Sequence, residues 1–438
     1  GGLGAVLGAK KVKGIVAAGG EFSVEPKNPK AFKKFSSRGF RYIKKNYFTG
    51  HRYNRFGTLM HLSTNNRAGI MPVNNFNGSS SKKGDLISGE HTRETRNIKV
   101  ESCRNCTILC GHSGEFNGKR TSVPEYETTS LLGSNLGIFD MDRTSQWNDL
   151  CGEMGLDTIS TGGTIAWVME AAEKGLISSD LGFGNPEGIS EAIEDISFRR
   201  GFGDEMAEGS RKLAEKYGGE EFCMAVKGLE MSAYHPEGSA GMGLNFAIAN
   251  RGGCHLSSTV FGLEIDIGLI NPLTTMRKAD YVEIMENIFA AVNSLHTCHF
   301  TIYAYMLEAP RLKHIPKPLV KLFLLLSPAI AGLFLDVTIY SGLFSSVTGE
   351  RLTAGEFTRA GKRIHILERY MNAREGIRAV DDTLPEKILA RGIRGREGKP
   401  YPLDRMVGKY YKIRKYDRNG IPRKSQLKKL GITGRGTE

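Results

Sequence analysis

Four cysteines constrain the fold of this chain more than any other feature of its sequence. Cys103, Cys106 and Cys110 follow one another as C-x2-C-x3-C, and Cys298 lies far downstream. The residues around the first three contain few β-branched side chains, which is typical of a loop. Three thiolates on one loop form half of a cage, and a remote fourth completes it only if the fold brings Cys298 close.

The spacing favours an iron–sulfur cluster, because such clusters are bound by four cysteine thiolates. A structural zinc site and a set of buried thiols are the alternatives. Structural zinc sites usually combine two closely spaced pairs of ligands, and no second cysteine pair accompanies Cys298.

Length and composition indicate a globular protein with two or three domains. The chain has 438 residues, of which 40% are hydrophobic and 24% charged. Seven cysteines without a dense framework fit a reducing, cytoplasmic compartment better than a secreted one. The chain starts at Gly1 within a glycine-rich motif and shows no signal peptide. We therefore expect a fragment that lacks most of its N-terminal domain.

The net charge of +13 is concentrated at the C-terminus. Residues 390–438 contain 15 Lys+Arg and 4 Asp+Glu, a balance of +11, which leaves +2 for the rest. The run from Lys409 to Tyr416 mixes bases with aromatic residues. A solvated tail is the simplest interpretation, and an acidic redox partner is the alternative. No nucleic-acid-binding motif accompanies the run, so we expect no nucleic-acid partner.

An apolar stretch from Leu322 to Leu335 is broken by Pro328. Fourteen residues are too few to cross a bilayer, which takes about 20. We expect a buried helix pair hinged at Pro328, with a membrane-surface helix as the alternative. No membrane span is expected.

Periodicity predicts a mainly helical protein. A strand is expected over residues 12–18, and helices are expected over 28–47, 142–154, 164–174, 281–292 and 358–372. The helix over 281–292 has its apolar residues on one face. It leads directly to Cys298, so the fourth thiolate should lie just past a helix end.

Three polar segments are candidates for a site. Glu125 and Glu127 flank a tyrosine and could act as a general acid or base, or simply favour a helix N-terminus. His255 lies in a glycine-rich turn, where it could bind substrate or be structural. The run from Gly1 to Gly4 could cradle phosphate through backbone N–H groups.

Taken together, these motifs resemble the aldehyde ferredoxin oxidoreductases. The resemblance rests on the order and spacing of the cysteine motif, of Pro124-Glu-Tyr-Glu-Thr128 and Gly155-Leu-Asp-Thr-Ile-Ser-Thr-Gly162, and of Val226-Lys-Gly-Leu-Glu230 and Asn250-Arg-Gly-Gly-Cys-His-Leu256. It extends to Leu367-Glu-Arg-Tyr, Asp381-Asp-Thr-Leu-Pro385 and Asp417-Arg-Asn-Gly-Ile-Pro422.

The resemblance implies oxidation of a small aldehyde to a carboxylic acid. It implies a tungsten (or molybdenum) ion on two pterins, Mg²⁺ bridging the pterin phosphates, and a [4Fe–4S] cluster that passes electrons to ferredoxin or another electron-transfer subunit. The cluster ligands would be Cys103, Cys106, Cys110 and Cys298. The catalytic residues would be Glu127, with Glu125 beside it, and His255. The cofactor-binding residues would be Gly1, Gly2, Leu3, Gly4, Asp157, Asn293, Leu295 and Thr297. A homodimer is a further expectation.

The sequence departs from the family pattern before the fourth cysteine. The family usually has Asp-x-x-Gly-Leu-Cys, whereas this chain has Asn293, His296 and Thr297 at the positions of Asp, Gly and Leu. Asparagine lacks the charge that would bind a pterin amine. Two alternatives therefore stay open: the tungsten subunit of another reductase complex, of the aryl-CoA reductase type, and a non-catalytic iron–sulfur electron-transfer protein.

The expected fold is mainly α, with two helical domains and a short β remnant of the N-terminal base domain. We place the remnant at 1–20, the domain with the C-x2-C-x3-C motif at 21–227, and the C-terminal helical domain with the fourth cysteine and basic tail at 228–438.

Overall fold

The computed structural model describes residues 3–19, 23–308, 315–328, 335–396 and 398–432, and it is mainly helical. In the first half of the chain the helices are α1 (Leu3–Ala9), α2 (Pro29–Lys45), α3 (Tyr53–Phe56), α4 (Met60–Ala68), α5 (Gly89–Thr95), α6 (Tyr126–Leu131), α7 (Met141–Met154), α8 (Thr158–Glu173), α9 (Ile189–Phe198), α10 (Phe202–Met206) and α11 (Ser210–Tyr217).

The second half continues in the same way. Its helices are α12 (Ala240–Ile248), α13 (Lys278–Ser294), α14 (Thr301–Leu307), α15 (Lys317–Leu326), α16 (Thr338–Thr348), α17 (Ala354–Arg374), α18 (Glu386–Arg391), α19 (Leu403–Arg414) and α20 (Lys424–Lys429). The mainly α fold class is confirmed.

Two small antiparallel sheets interrupt the helices. The first has the order β1 (Lys99–Val100), β2 (His112–Phe116) and β3 (Lys119–Ser122), and Ser113 pairs with Lys99 on one side and Ser122 on the other. The second is the hairpin of β4 (Ala225–Val226) and β5 (Leu229–Glu230). The loop that carries three of the four cysteines joins β1 to β2, so the first sheet fixes both of its ends.

Two hydrophobic clusters form the core. The larger one contains buried residues from Tyr42 to Ile432, and helix α13 contributes Val282, Ile288 and Val292 to it. The smaller one is built from residues 132–223, including Trp147 and Trp167. The domain boundaries at 20 and 227 stay predictions, since nothing in the structure tests them.

A buried polar network fixes helix α13 against α17 and α19. The Arg414 guanidinium contacts the Glu286 carboxylate at 2.5 Å and donates to Asn287 Oδ1 at 2.6 Å. The Tyr410 hydroxyl donates to Glu286 at 2.6 Å and contacts His365 Nε2 at 2.9 Å. Because Arg414 is fully buried, its charge is stabilised by these partners and by the Glu283 carboxylate 3.5 Å away.

The predicted helices are confirmed, with shifts at their ends. Helix α8 begins at Thr158 rather than Thr164, because the Asp157 side chain caps it by accepting from the N–H groups of Ile159 and Ser160. The strand predicted over 12–18 is wrong. Residues 12–19 have no regular structure and are exposed, because an extended segment is stable only when another strand pairs with it.

The C-terminal tail is folded rather than solvated, which corrects the sequence-based expectation. The run from Lys409 to Tyr416 covers the end of helix α19, and its three tyrosines and Arg414 are buried in the core. Bases and aromatic residues alternate there because the helix has a buried and an exposed face.

The apolar stretch is only partly buried, which corrects the expectation of a buried helix pair. Helix α15 ends before Pro328 and buries Val320 and Leu324, but Leu326 is 64% exposed. Residues 329–334 lie outside the described part of the chain. In the part that is described, no helix combines the length and the apolar character needed to cross a bilayer.

Replacing Arg414 tests the buried network. Arg414→Met leaves the Glu286 carboxylate buried without its cation, so we expect the free energy of unfolding to fall by about 3–5 kcal/mol. Chemical denaturation measures the change. Arg211→Met is the control, because it removes an exposed pair with Glu215 and should leave the transition nearly unchanged. Equal effects would contradict the role given to Arg414.

Candidate functional site

The cysteine loop is held in an open, irregular conformation. The N–H of Glu101 donates to the carbonyl of Gly111 at 2.9 Å and closes the base of the loop. Asn105 and Leu109 both have positive φ angles, of 61° and 59°. The loop therefore turns twice, and it leaves Cys103 exposed while Cys106 and Cys110 are half-buried at the edge of the core.

The structure brings Cys298 to this loop. Helix α13 ends at Ser294, and the following turn leads to Cys298, whose carbonyl accepts a hydrogen bond from the Thr301 hydroxyl at 2.6 Å. Burial raises the pKa of Cys110 to about 12, and the charges of Glu125 and of the other three cysteines add to this effect. The four thiols are therefore neighbours, although they are distant in the sequence.

The chemistry of the loop fits a cluster of iron and sulfide. The N–H of Ile108 donates to the Cys106 sulfur at 3.4 Å, and backbone N–H groups near Phe300 lower the pKa of Cys298 against the dominant effect of burial. Such donors stabilise anionic sulfur. Among the described residues no three His, Cys, Asp or Glu side chains are arranged around one metal ion.

A cavity of about 190 Å³ lies beside the cysteines. Aromatic side chains form most of its wall, and a few polar groups converge on it, an arrangement typical of small-molecule sites. Its lining includes Tyr53, Thr58, His61, Glu125, Tyr126, Glu127, Tyr234, His255, Phe261, Phe289, His299, Phe300 and Tyr303. The three predicted catalytic residues thus line one cavity.

Glu127 and His255 face each other in this cavity. Glu127 Oε1 lies 3.3 Å from His255 Nδ1, yet neither atom has a hydrogen bond to a described residue. The other carboxyl oxygen of Glu127 accepts from the N–H of Ala233 at 2.8 Å. These two buried atoms therefore face each other in the cavity wall without a hydrogen bond.

Burial favours the neutral form of both groups. Desolvation raises the pKa of Glu127 to about 8, with a smaller contribution from Asp157. Desolvation lowers the pKa of His255 to about 3, and the nearby His299, Arg251 and His61 act in the same direction. At neutral pH the contact therefore joins a protonated carboxyl and a neutral imidazole rather than two ions.

Glu125 lies between the cavity and the cysteines. Its residue surface is largely exposed, but its carboxyl lines the cavity, where desolvation raises its pKa and a hydrogen bond from the Thr58 hydroxyl lowers it. Its charge also raises the pKa of Cys110.

Sequence reasoning missed a buried polar chain in the same wall. His61 Nδ1 lies 3.2 Å from Asp266, and His61 Nε2 lies 3.2 Å from the Tyr53 hydroxyl. The Tyr303 hydroxyl donates to the second Asp266 oxygen at 2.8 Å. No spacing signal connects these four residues, because they come from separate helices and turns; only the tertiary structure joins them.

The residues predicted to bind the pterins lie in two segments, one at the start of helix α8 and one at the end of α13 and in the turn before Cys298. Asp157 is exposed, and both hydrogen bonds that cap α8 use its Oδ1 oxygen, so its Oδ2 oxygen faces outward. Asn293 is exposed at the end of α13, where its Oδ1 lies 3.4 Å from His299 Nδ1. Leu295 and Thr297 are half-buried in the turn before Cys298.

The N-terminal motif is exposed where the structure describes it. Leu3 and Gly4 form the first turn of the short helix α1, which buries none of its residues. Leu3 is 74% exposed, and no atom lies within 4 Å of a Cβ built on Gly4. Gly1 and Gly2 lie outside the described residues. A phosphate site at these four positions stays a prediction.

A family profile matches nearly the whole chain. The profile described as "Aldehyde ferredoxin oxidoreductase, domains 2 & 3" covers residues 34–432. The chain belongs to the aldehyde ferredoxin oxidoreductase family. It is 32% identical to the tungsten-containing aldehyde ferredoxin oxidoreductase of Pyrococcus furiosus over 447 residues, which cover 99% of this chain and 69% of that protein. The enzyme of the same name from Thermococcus kodakarensis is 30% identical over 98% of this chain and 68% of its own length.

The chain is also similar to proteins with other names. An aliphatic sulfonate oxidoreductase, WOR-like subunit, of Pyrococcus furiosus is 23% identical over 99% of this chain and 66% of its own length. Among solved structures, the active site complex BamBC of benzoyl coenzyme A reductase has a similar fold. The TM-score is 0.73 at 19% identity, with 99% of this chain and 69% of that chain covered.

The turn before Cys298 offers a test of the departure from the family pattern. His296 has a φ of 52°, a left-handed conformation that favours the glycine usual in the family. We expect His296→Gly to raise the free energy of unfolding by up to about 1 kcal/mol. Ser294→Gly, two residues earlier in a right-handed helix, should lower it by about 1 kcal/mol. Denaturation curves that fall equally for both variants would refute the left-handed turn.

Proposed function

We propose that the protein oxidises an aldehyde to a carboxylic acid and passes the electrons out through an iron–sulfur cluster. In this reaction the aldehyde gains an oxygen atom from water, and two protons and two electrons are released. Two one-electron acceptors of the ferredoxin type take up the electrons one after the other. The chain spans about 69% of the relatives it matches, so the activity is proposed for the whole protein that contains it.

One observation carries this proposal. Glu127 Oε1 and His255 Nδ1 are buried, lack hydrogen-bond partners among the described residues, and line a largely aromatic cavity next to four neighbouring cysteines. Buried polar atoms without partners are costly, and a bound ligand or water in the cavity would supply the missing contact. A carbonyl compound and water offer the donors and acceptors that these two atoms lack.

The residues present fit the cofactors that the family implies. Cys103, Cys106, Cys110 and Cys298 would hold a [4Fe–4S] cluster. Asp157, Asn293, Leu295 and Thr297 would contact the two pterins. When bound, a tungsten bis-pterin would accept the two electrons of aldehyde oxidation. Mg²⁺ between pterin phosphates and a homodimer stay predictions from the resemblance.

In this mechanism His255 orients the aldehyde, and Glu127 accepts a proton. A neutral imidazole keeps one N–H donor, and this donor polarises the aldehyde oxygen in a cavity lined largely by aromatic side chains. The Glu127 carboxylate takes a proton from water or from the hydrated aldehyde. A pKa of about 8 makes the deprotonated carboxyl a stronger base than an exposed glutamate, and it removes that proton increasingly well as the pH rises toward about 8.

The pH profile of the reaction tests these roles. The base must be deprotonated, so kcat/KM for an aldehyde should rise with pH and level off above about 8. The pKa of His255 is about 3, so this residue stays neutral at higher pH and adds no further change to the pH dependence of kcat/KM. Glu127→Gln should lower kcat/KM about a hundredfold or more and remove the rising limb. Dye-linked assays of the full-length enzyme measure both effects.

A matched variant separates a catalytic role from a general loss of charge. Glu115→Gln changes an exposed glutamate of β2 that lies outside the cavity, and it should leave the profile unchanged. If kcat/KM of Glu127→Gln rises with pH as in the unaltered enzyme, Glu127 is not the base. Activity on an aromatic thioester in place of every aldehyde tried would replace the proposed reaction with that of an aryl-CoA reductase.

A further inference from the structure

The positive charge of the folded chain is concentrated on one helix as well as in the tail. Residues 26–84 contain 13 lysines and arginines and no aspartate or glutamate. Helix α2 lies in this segment. With 3.6 residues per turn, Lys30, Lys33, Lys34, Arg41, Lys44 and Lys45 occupy an arc of about 120° on its surface. These six residues are called the basic stripe below.

The basic stripe has the properties of a free surface. All six residues are exposed, and none makes an ion pair with another residue in the described ranges. Arg38, at the border of the stripe, differs because it contacts Asp336 at 3.5 Å. The opposite face of α2 buries Gly39, Tyr42 and Ile43. The helix is therefore fixed by packing, and its cations remain available to a partner.

Two exposed aromatic residues accompany the stripe. Phe40 is 55% exposed and flanks it, and Tyr47 is 61% exposed just beyond the C-terminal end of α2. Exposed aromatic side chains on a charged surface are typical of protein interfaces. The C-terminal tail lacks this combination, because Tyr401, Tyr410, Tyr411 and Tyr416 are all buried.

The stripe is on the helix that packs beside the fourth cysteine. Helix α14 begins three residues after Cys298 and is only about 10 Å long. Its Tyr305 ring packs against Tyr42 of α2 with ring centres 6.4 Å apart. Glycine at position 39 permits this contact, because a Cβ there would lie 2.8 Å from the Tyr305 hydroxyl. The C-terminal end of α2 leads to Tyr53, whose ring stacks on Phe300 at 4.3 Å.

We propose that the basic stripe, with Phe40 and Tyr47, is the docking surface for a small acidic redox protein that takes electrons from the four-cysteine site. The stripe attracts a negatively charged carrier, since opposite charges speed encounter. The aromatic pair gives the complex apolar contact area, and α14 connects the surface to Cys298. The inference rests on the proposed function, because only a working electron exit needs such a carrier.

Charge reversal at the stripe tests the proposal. The probe is a bacterial-type ferredoxin of net negative charge, and the protein is the anaerobically purified full-length holoenzyme. In K33E/K34E/K44E we expect the KM for ferredoxin to rise about tenfold and its dependence on salt to weaken. Oxidation of aldehyde with a small dye should be unchanged, because the dye needs no docking surface.

The tail supplies a control of equal charge. K424E/K428E/K429E changes three exposed lysines of α20 and should leave the KM for ferredoxin unchanged. A larger effect from the tail variant than from the stripe variant would overturn the proposal. Equal effects would overturn it too, since they would reflect net charge rather than a site.

Direct binding separates this proposal from the proposed function. Calorimetry with oxidised ferredoxin at low salt requires no turnover. It therefore measures ferredoxin binding even if the protein oxidises no aldehyde. Binding that K33E/K34E/K44E weakens about tenfold while the tail variant does not supports the stripe. Absence of ferredoxin binding, or binding only to vesicles of phosphatidylserine that the stripe variant abolishes, would refute it.

Discussion

The buried contact between Arg414 and Glu286 holds together the part of the structure on which the site depends. It joins α19 to α13, and the Tyr410 hydroxyl extends the network to His365 on α17. Helix α13 is buried along most of its length and ends immediately before the turn to Cys298. The position of the fourth cysteine, and of His299 and Phe300 beside it, follows from the position of this helix.

The site combines an apolar wall with a few polar atoms that lack partners. Desolvation moves the pKa values of Glu127 and His255 in opposite directions, toward neutral forms. The same low dielectric strengthens any interaction these groups make with a bound molecule. The cysteines are more exposed than the cavity residues. In the proposed reaction, proton transfer would take place in the aromatic cavity, and electrons would leave through the more exposed cysteines toward the basic stripe of α2.

Much of this arrangement could be predicted from sequence. The cysteine spacing and the periodic helix before Cys298 indicated that distant thiols would meet, and both features are local patterns. The resemblance implied the three catalytic candidates, and in the structure all three residues line one cavity. The prediction of a strand over 12–18 was wrong because a periodic sequence pattern does not show whether a second strand is present to pair with it. The tail was misjudged because a basic, aromatic run has the same composition whether it is solvated or packed as one face of a helix. The chain from Tyr53 through His61 to Asp266 and Tyr303 could not be foreseen, since tertiary packing alone brings these residues together.

The central claim is that four cysteines hold an iron–sulfur cluster beside a cavity built for tungsten-dependent oxidation. Metal analysis of the anaerobically purified full-length protein tests it most directly, with Cys298→Ser for comparison. We predict about four iron and one tungsten or molybdenum per chain, with a marked loss of iron but no unfolding in Cys298→Ser. Zinc in place of iron, or iron without tungsten or molybdenum, would contradict the account.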